Sequence, residues 1–145
     1  MLFATGTANY DEVMKELGTA PDNVKVVPYI YDMENVINAA DLLICRAGAI
    51  TVSEITALGK ASVLIPSPNV TDNHQYYNAL ELQKVGAGVV IEEKDLTGEK
   101  LISTVADLLA EPGKLAAMGQ NARKLSVDDS LDRIAAALLK LVHTP

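Results

Sequence analysis

Short β-rich runs alternate with helix-spaced segments from the start of the chain to Ile91. The β-rich runs are Leu2–Thr5, Val24–Val27, Asp41–Cys45, Ser62–Ile65 and Gly88–Ile91. Between them, Tyr10–Leu17, Met33–Ala39, Val52–Leu58 and His74–Val85 carry apolar residues at helical intervals. Strands that alternate with helices imply right-handed crossovers and a mostly parallel sheet. The near-continuous apolar run Asp41-Leu42-Leu43-Ile44-Cys45 reads as a strand covered on both faces. After Ile91 the alternation stops. Leu101, Val105, Leu108 and Leu109 repeat at helical spacing, a second helix is expected to start at Pro112, and a third runs from Ser130. That last helix places Leu131, Ile134, Ala135, Leu138, Leu139 and Val142 on one stripe. Residues 92–145 therefore read as closing helices, and residues 1–145 as one Rossmann-like domain.

Composition narrows the class further. The 145 residues are 49% hydrophobic and 21% charged, too apolar for a disordered chain. Cys45 is the only cysteine, so no disulfide framework holds the fold, and a reducing compartment fits. The net charge of −7 argues against a free-standing nucleic-acid binder and against an anionic membrane surface. No apolar run approaches the roughly 20 residues of a membrane span, and no signal-peptide pattern opens the chain. No metal site suggests itself, since His74 and His143 are the only histidines and neither has a Cys or carboxylate cluster nearby. No nucleophile–base pair or acid–base pair of carboxylates stands out.

Three stretches follow strands and precede helices, so all belong at a sheet's carboxyl edge. The densest is Cys45-Arg46-Ala47-Gly48-Ala49-Ile50-Thr51-Val52-Ser53-Glu54. Its small residues let a ligand approach the backbone, and the next helix offers free N–H groups to an anion such as a diphosphate. Glu54 either accepts ribose hydroxyls or merely complements the helix dipole. The second stretch runs from Pro66 to Asn78. His74 and Gln75 suit sugar hydroxyls there, or else Asp72 caps the helix and Gln75 completes a capping box. The third is Val27-Pro28-Tyr29-Ile30-Tyr31-Asp32-Met33, which either holds a flat base near Ile30 or is an ordinary turn capped by Asp32. Neither GxGxxG nor GxxxxGK[ST] occurs.

Together these stretches resemble the MurG family. The resemblance rests on Arg46-Ala47-Gly48-Ala49-Ile50-Thr51-Val52-Ser53-Glu54, Pro66, and Asn73-His74-Gln75-Tyr76-Tyr77-Asn78-Ala79. It extends to Tyr29–Met33, Gly6 and Gly86-Ala87-Gly88, and covers about Ala4 to Val142. The family makes the N-acetylglucosaminyl transfer of peptidoglycan synthesis. The resemblance implies an α/β Rossmann-like parallel sheet with helices on both faces, the C-terminal half of a GT-B glycosyltransferase. It implies UDP-N-acetylglucosamine as donor substrate, no cofactor, and inversion at the sugar carbon. By motif, Glu54 would bind the ribose and the backbone at Ile30 the uracil. Gly48, Ala49, Ile50 and Thr51 would line the diphosphate. His74 and Gln75 would meet the sugar, and Asn78 would support that loop. The base and the lipid-linked acceptor belong to the family's N-terminal domain, which also touches the inner face of the plasma membrane in a cytoplasmic, peripheral enzyme.

The chain departs from the family in length and in lacking the first strand with its phosphate loop. In a doubly wound order of 3-2-1-4-5-6 that strand is central, so its loss should leave a gap or force a new pairing. The chain therefore reads as a piece of a longer hexosyltransferase, inactive alone. A 2-epimerase, a glycolipid glycosyltransferase, a donor-binding subunit of a split transferase, or a protein for another nucleotide are the competing readings.

Overall fold

The computed structural model describes residues 1–142. They form two compact units, Met1–Ala39 and the part from Ala40 onward. In the first, strand β1 (Leu2–Ala4) pairs in parallel with β2 (Lys25–Val27), in the register Leu2 to Lys25 and Ala4 to Val27. The crossover between them contains helix α1 (Tyr10–Leu17), and α2 (Met33–Ala39) follows β2. Both helices keep their expected bounds. Of this unit only Ile37 is buried.

The second unit holds a three-stranded parallel sheet in the order β3-β4-β5. Its strands are β3 (Leu42–Cys45), β4 (Ala61–Leu64) and β5 (Gly88–Val90). Helix α3 (Ala49–Leu58) crosses from β3 to β4, and α4 (His74–Lys84) from β4 to β5. Helices α5 (Gly98–Ala110), α6 (Lys114–Arg123) and α7 (Ser130–Val142) follow. The α/β class and the parallel pairing agree with the sequence. No new pairing forms among the described strands. The two ladders, β1-β2 and β3-β4-β5, are the groups that the doubly wound order leaves without its central strand.

Strand β4 organises the core because its residues alternate between two apolar layers. Leu64 joins Ile55, Ala79, Leu82 and Ala122 on one face. Ala61, Val63 and Ile65 join Ile91, Leu108 and Met118 on the other. Helices thus cover both faces of this sheet. All four β4 residues are buried, whereas Ile44 of β3 is 43% exposed. The expectation of a strand covered on both faces therefore fits β4 and not β3, because β3 is an edge of its ladder. Gly88 in β5 is a packing requirement: a Cβ there would stand 3.0 Å from Ser62 Oγ and 3.2 Å from Leu64 Cδ1. Ser62 Oγ is buried without a hydrogen-bond partner among the described residues.

Two expectations about the closing helices need correction. Pro112 does not begin α6; Gly113, at φ 79°, precedes it, because the turn needs a left-handed residue at that point. The α7 stripe is present, but no residue of α7 is buried, so it does not close this sheet. Helix α3 crosses α6 closely, backbone to backbone. Gly59 ends α3 at φ 62° and donates to the Ile55 and Thr56 carbonyls. Its own carbonyl lies where any Cβ on Gly119 would collide with it.

Candidate functional site

The second unit gathers most of the singled-out residues at the carboxyl ends of its strands. The chain leaves β3 through Arg46 and buried Ala47, then turns into α3. Gly48 is the N-cap, at φ −64° and ψ 151°, and no side chain caps this end. The first turn holds no acidic residue that would occupy its N–H groups. Those groups, with the positive end of the helix dipole, are available to an anion. Thr51 Oγ1 stands beside the turn, 4.0 Å from where a Gly48 Cβ would be. Ile50 is 77% exposed.

Glu54 lies in the second turn of α3, half-buried. It acts on Cys45, at the end of β3. Burial first, and the Glu54 carboxylate second, push that thiol from 9.0 to about 11. Glu54 is therefore close enough to the carboxyl end of β3 to act on it electrostatically.

The stretch after β4 comes to the same place. Its backbone takes two successive left-handed residues, Asp72 at φ 54° and Asn73 at φ 51°. Asp and Asn tolerate that region better than other side chains, at a cost of roughly 1 kcal/mol each. No side chain caps α4, so the capping reading of Asp72 and Gln75 does not hold. Gln75 Oε1 instead accepts from the Ser67 backbone N–H at 3.0 Å, which fixes the amide and offers its NH2 as donor. His74 Nδ1 donates to the Thr71 carbonyl at 2.9 Å. In the neutral ring this leaves Nε2 as an acceptor. Asn78 Nδ2 donates to the Ala47 carbonyl at 3.0 Å. That bond joins α4 directly to the turn before α3.

Ile30 belongs to the Met1–Ala39 unit, where it is half-buried between exposed Tyr29 and Tyr31. The two rings meet edge to face with centroids 5.0 Å apart. Asp32 accepts from the Asn35 side chain at 2.8 Å. His143 lies outside the described residues.

Glu93 was not legible as a site residue. It follows β5 in the run Glu92-Glu93-Lys94-Asp95, which reads as a solvated charge cluster. In the structure it pairs with Arg46, and it lines a cleft of about 320 Å³ with Pro66, Pro68, Asn73 and Tyr76 among others. Its place one turn beyond a strand's carboxyl end was the available signal.

Parallel strands flanked by helices, with an uncapped helix N-terminus at their carboxyl ends, make this a Rossmann-like α/β protein of the GT-B C-terminal type. Residues 1–134 match the glycosyltransferase family 28 C-terminal domain, and the chain belongs to that family. It is 49% identical over 135 residues to the UDP-N-acetylglucosamine--N-acetylmuramyl-(pentapeptide) pyrophosphoryl-undecaprenol N-acetylglucosamine transferase of Acetivibrio thermocellus. That match covers 92% of this chain and 37% of the relative. The protein of the same name from Desulforudis audaxviator is 46% identical, covering 97% of this chain and 39% of the relative. The chain thus spans under two-fifths of the length of these relatives. The crystal structure of Acinetobacter baumannii MurG superposes with a TM-score of 0.84 at 30% identity, over 96% of this chain and 40% of that one. The glycosyltransferase VinC in complex with dTDP shares the fold, with a TM-score of 0.69 at 23% identity. No helix among the described residues is long and apolar enough to cross a membrane.

Proposed function

We propose that this chain is the donor-binding domain of an inverting N-acetylglucosaminyltransferase that takes UDP-N-acetylglucosamine. The observation that carries the reading is the Asn78–Ala47 bond, which ties the second turn of α4 to the residue before the uncapped α3 N-terminus. On this reading the diphosphate lies against the N–H groups around Gly48, Ala49, Ile50 and Thr51. The sugar meets the His74 acceptor nitrogen and the Gln75 NH2 group. Glu54 accepts the ribose hydroxyls.

The chemistry follows from charge. As the glycosidic bond breaks, negative charge builds on the leaving UDP. A fixed helix N-terminus stabilises that charge with no reorganisation at the moment of reaction. A base must deprotonate the acceptor hydroxyl. We assign that base, the lipid-linked muramoyl acceptor and the contact with the inner membrane face to a separate N-terminal domain of the same enzyme. The names of the relatives include a pyrophosphoryl-undecaprenol group, which supports the lipid-linked nature of the acceptor.

Calorimetric titration of the chain with UDP-N-acetylglucosamine tests the reading, with UDP-glucose and NAD as controls. Selective binding is expected. Glu54→Ala removes a charged acceptor and should weaken binding by about tenfold or more. Equal binding of UDP-glucose would refute the sugar assignment, and NAD binding would refute the nucleotide class.

A further inference from the structure

Arg46 does more than end β3. Its Nη1 donates to the Ile65 carbonyl at 3.2 Å, one residue past β4, and also pairs with the Glu93 carboxylate just beyond β5. One side chain thus spans the carboxyl ends of all three strands in this unit. The residue after it, Ala47, is the one whose carbonyl Asn78 holds. The turn into α3 is therefore tethered from two elements, by α4 through Asn78 and by the β5 end through Glu93. Their mutual hydrogen bond holds the Glu93 carboxyl below its usual range and the Arg46 guanidinium above its own.

We propose that Glu93 is a positioning residue, which acts through Arg46 to fix the Ala47–Gly48 turn and the N-terminus of α3. This rests on the reading of that turn as the seat of the donor diphosphate. Solvent reaches both partners, with side chains 50% and 41% exposed. Exposed ion pairs add little to global stability. The consequence of the pair is geometric: it removes freedom from a loop that has little side chain of its own. Without Glu93, Arg46 keeps only the neutral Ile65 carbonyl, and the turn loses its tether to β5.

The test reads local order and affinity separately, on the full 145-residue chain. Amide hydrogen exchange is followed at Val52, bonded to the Gly48 carbonyl, and at Ile65, bonded to the Cys45 carbonyl. Ala117, bonded to the Gly113 carbonyl in α6, serves as the distant reference. In Glu93→Ala, exchange at Val52 and Ile65 should accelerate at least about threefold, with Ala117 unchanged. Glu93→Gln, which keeps an acceptor oxygen, should fall between it and wild type. Glu92→Ala, which removes the neighbouring partner of Lys94, should change neither amide. Affinity for UDP-N-acetylglucosamine should fall about fivefold in Glu93→Ala. Unchanged exchange at both amides overturns the proposal, as does an equal response in Glu92→Ala. Accelerated exchange with unaltered affinity also overturns it, since the pair would then order a turn the donor does not use. Absence of binding by the wild-type chain refutes the donor reading by itself, and the exchange series still decides whether Glu93 positions the turn.

Discussion

Cys45 shows how much one residue's surroundings govern its behaviour. Its thiol is held at about 11 against an ordinary 9.0, by burial and then by Glu54. The folded state therefore keeps its proton to higher pH than the unfolded state does. Below pH 9 both states are protonated and the residue adds no pH dependence. Between pH 9 and 11 the unfolded chain ionises first, so stability falls, by roughly 2–3 kcal/mol at most. Chemical denaturation at pH 7.5 and pH 10.5 should show this loss in wild type and a smaller one in Cys45→Ala. A pH-independent difference between the two chains would refute it. At this scale the sequence was partly legible. Gly48, Thr51, Glu54, His74, Gln75 and Asn78 share one sheet edge, as their position after strands requires. What could not be read was the bonding. Gln75 reaches back to Ser67 rather than to the helix end, because two left-handed residues reshape the approach to α4. Local spacing does not encode that turn.

Among the elements, α1, α2 and α7 keep the bounds their apolar spacing predicts, since a 3.6-residue period is a local property. Burial is not local, and there the sequence misled. The apolar run of β3 sits at an edge, and the α7 stripe is uncovered, although both look like core. The α3–α6 crossing was equally hidden, because it depends on two glycines 60 positions apart meeting backbone to backbone. Gly119→Ala should therefore destabilise the chain by about 2–4 kcal/mol despite alanine's better helix propensity. A thermal melt gives the sign directly, and a stabilised variant would refute the packing argument.

The whole molecule is uneven. The unit from Ala40 onward buries two apolar layers around β4, whereas Met1–Ala39 has Ile37 as its single buried residue. Opening free energies follow buried contact, so the two units should not exchange alike. Amides of the β1–β2 ladder should exchange at least about a hundredfold faster than those of β3–β4. Uniform protection along the chain would contradict this. The doubly wound order left a gap and a new pairing equally open; the strands form two separate ladders, and neither that outcome nor the poor burial of the first unit was legible. The glycine contact described above also has a mechanical side. Helix α3 is about 15 Å long, with its free N–H groups at one end and the Gly59–Gly119 contact at the other. It works as a lever with its fulcrum at the tail. A tilt of about 10° forced there by one added methyl would swing the far tip by about 2.6 Å, close to the length of a hydrogen bond. On the donor-site reading proposed above, residue 119 would thus detune the diphosphate seat from the far end of the helix.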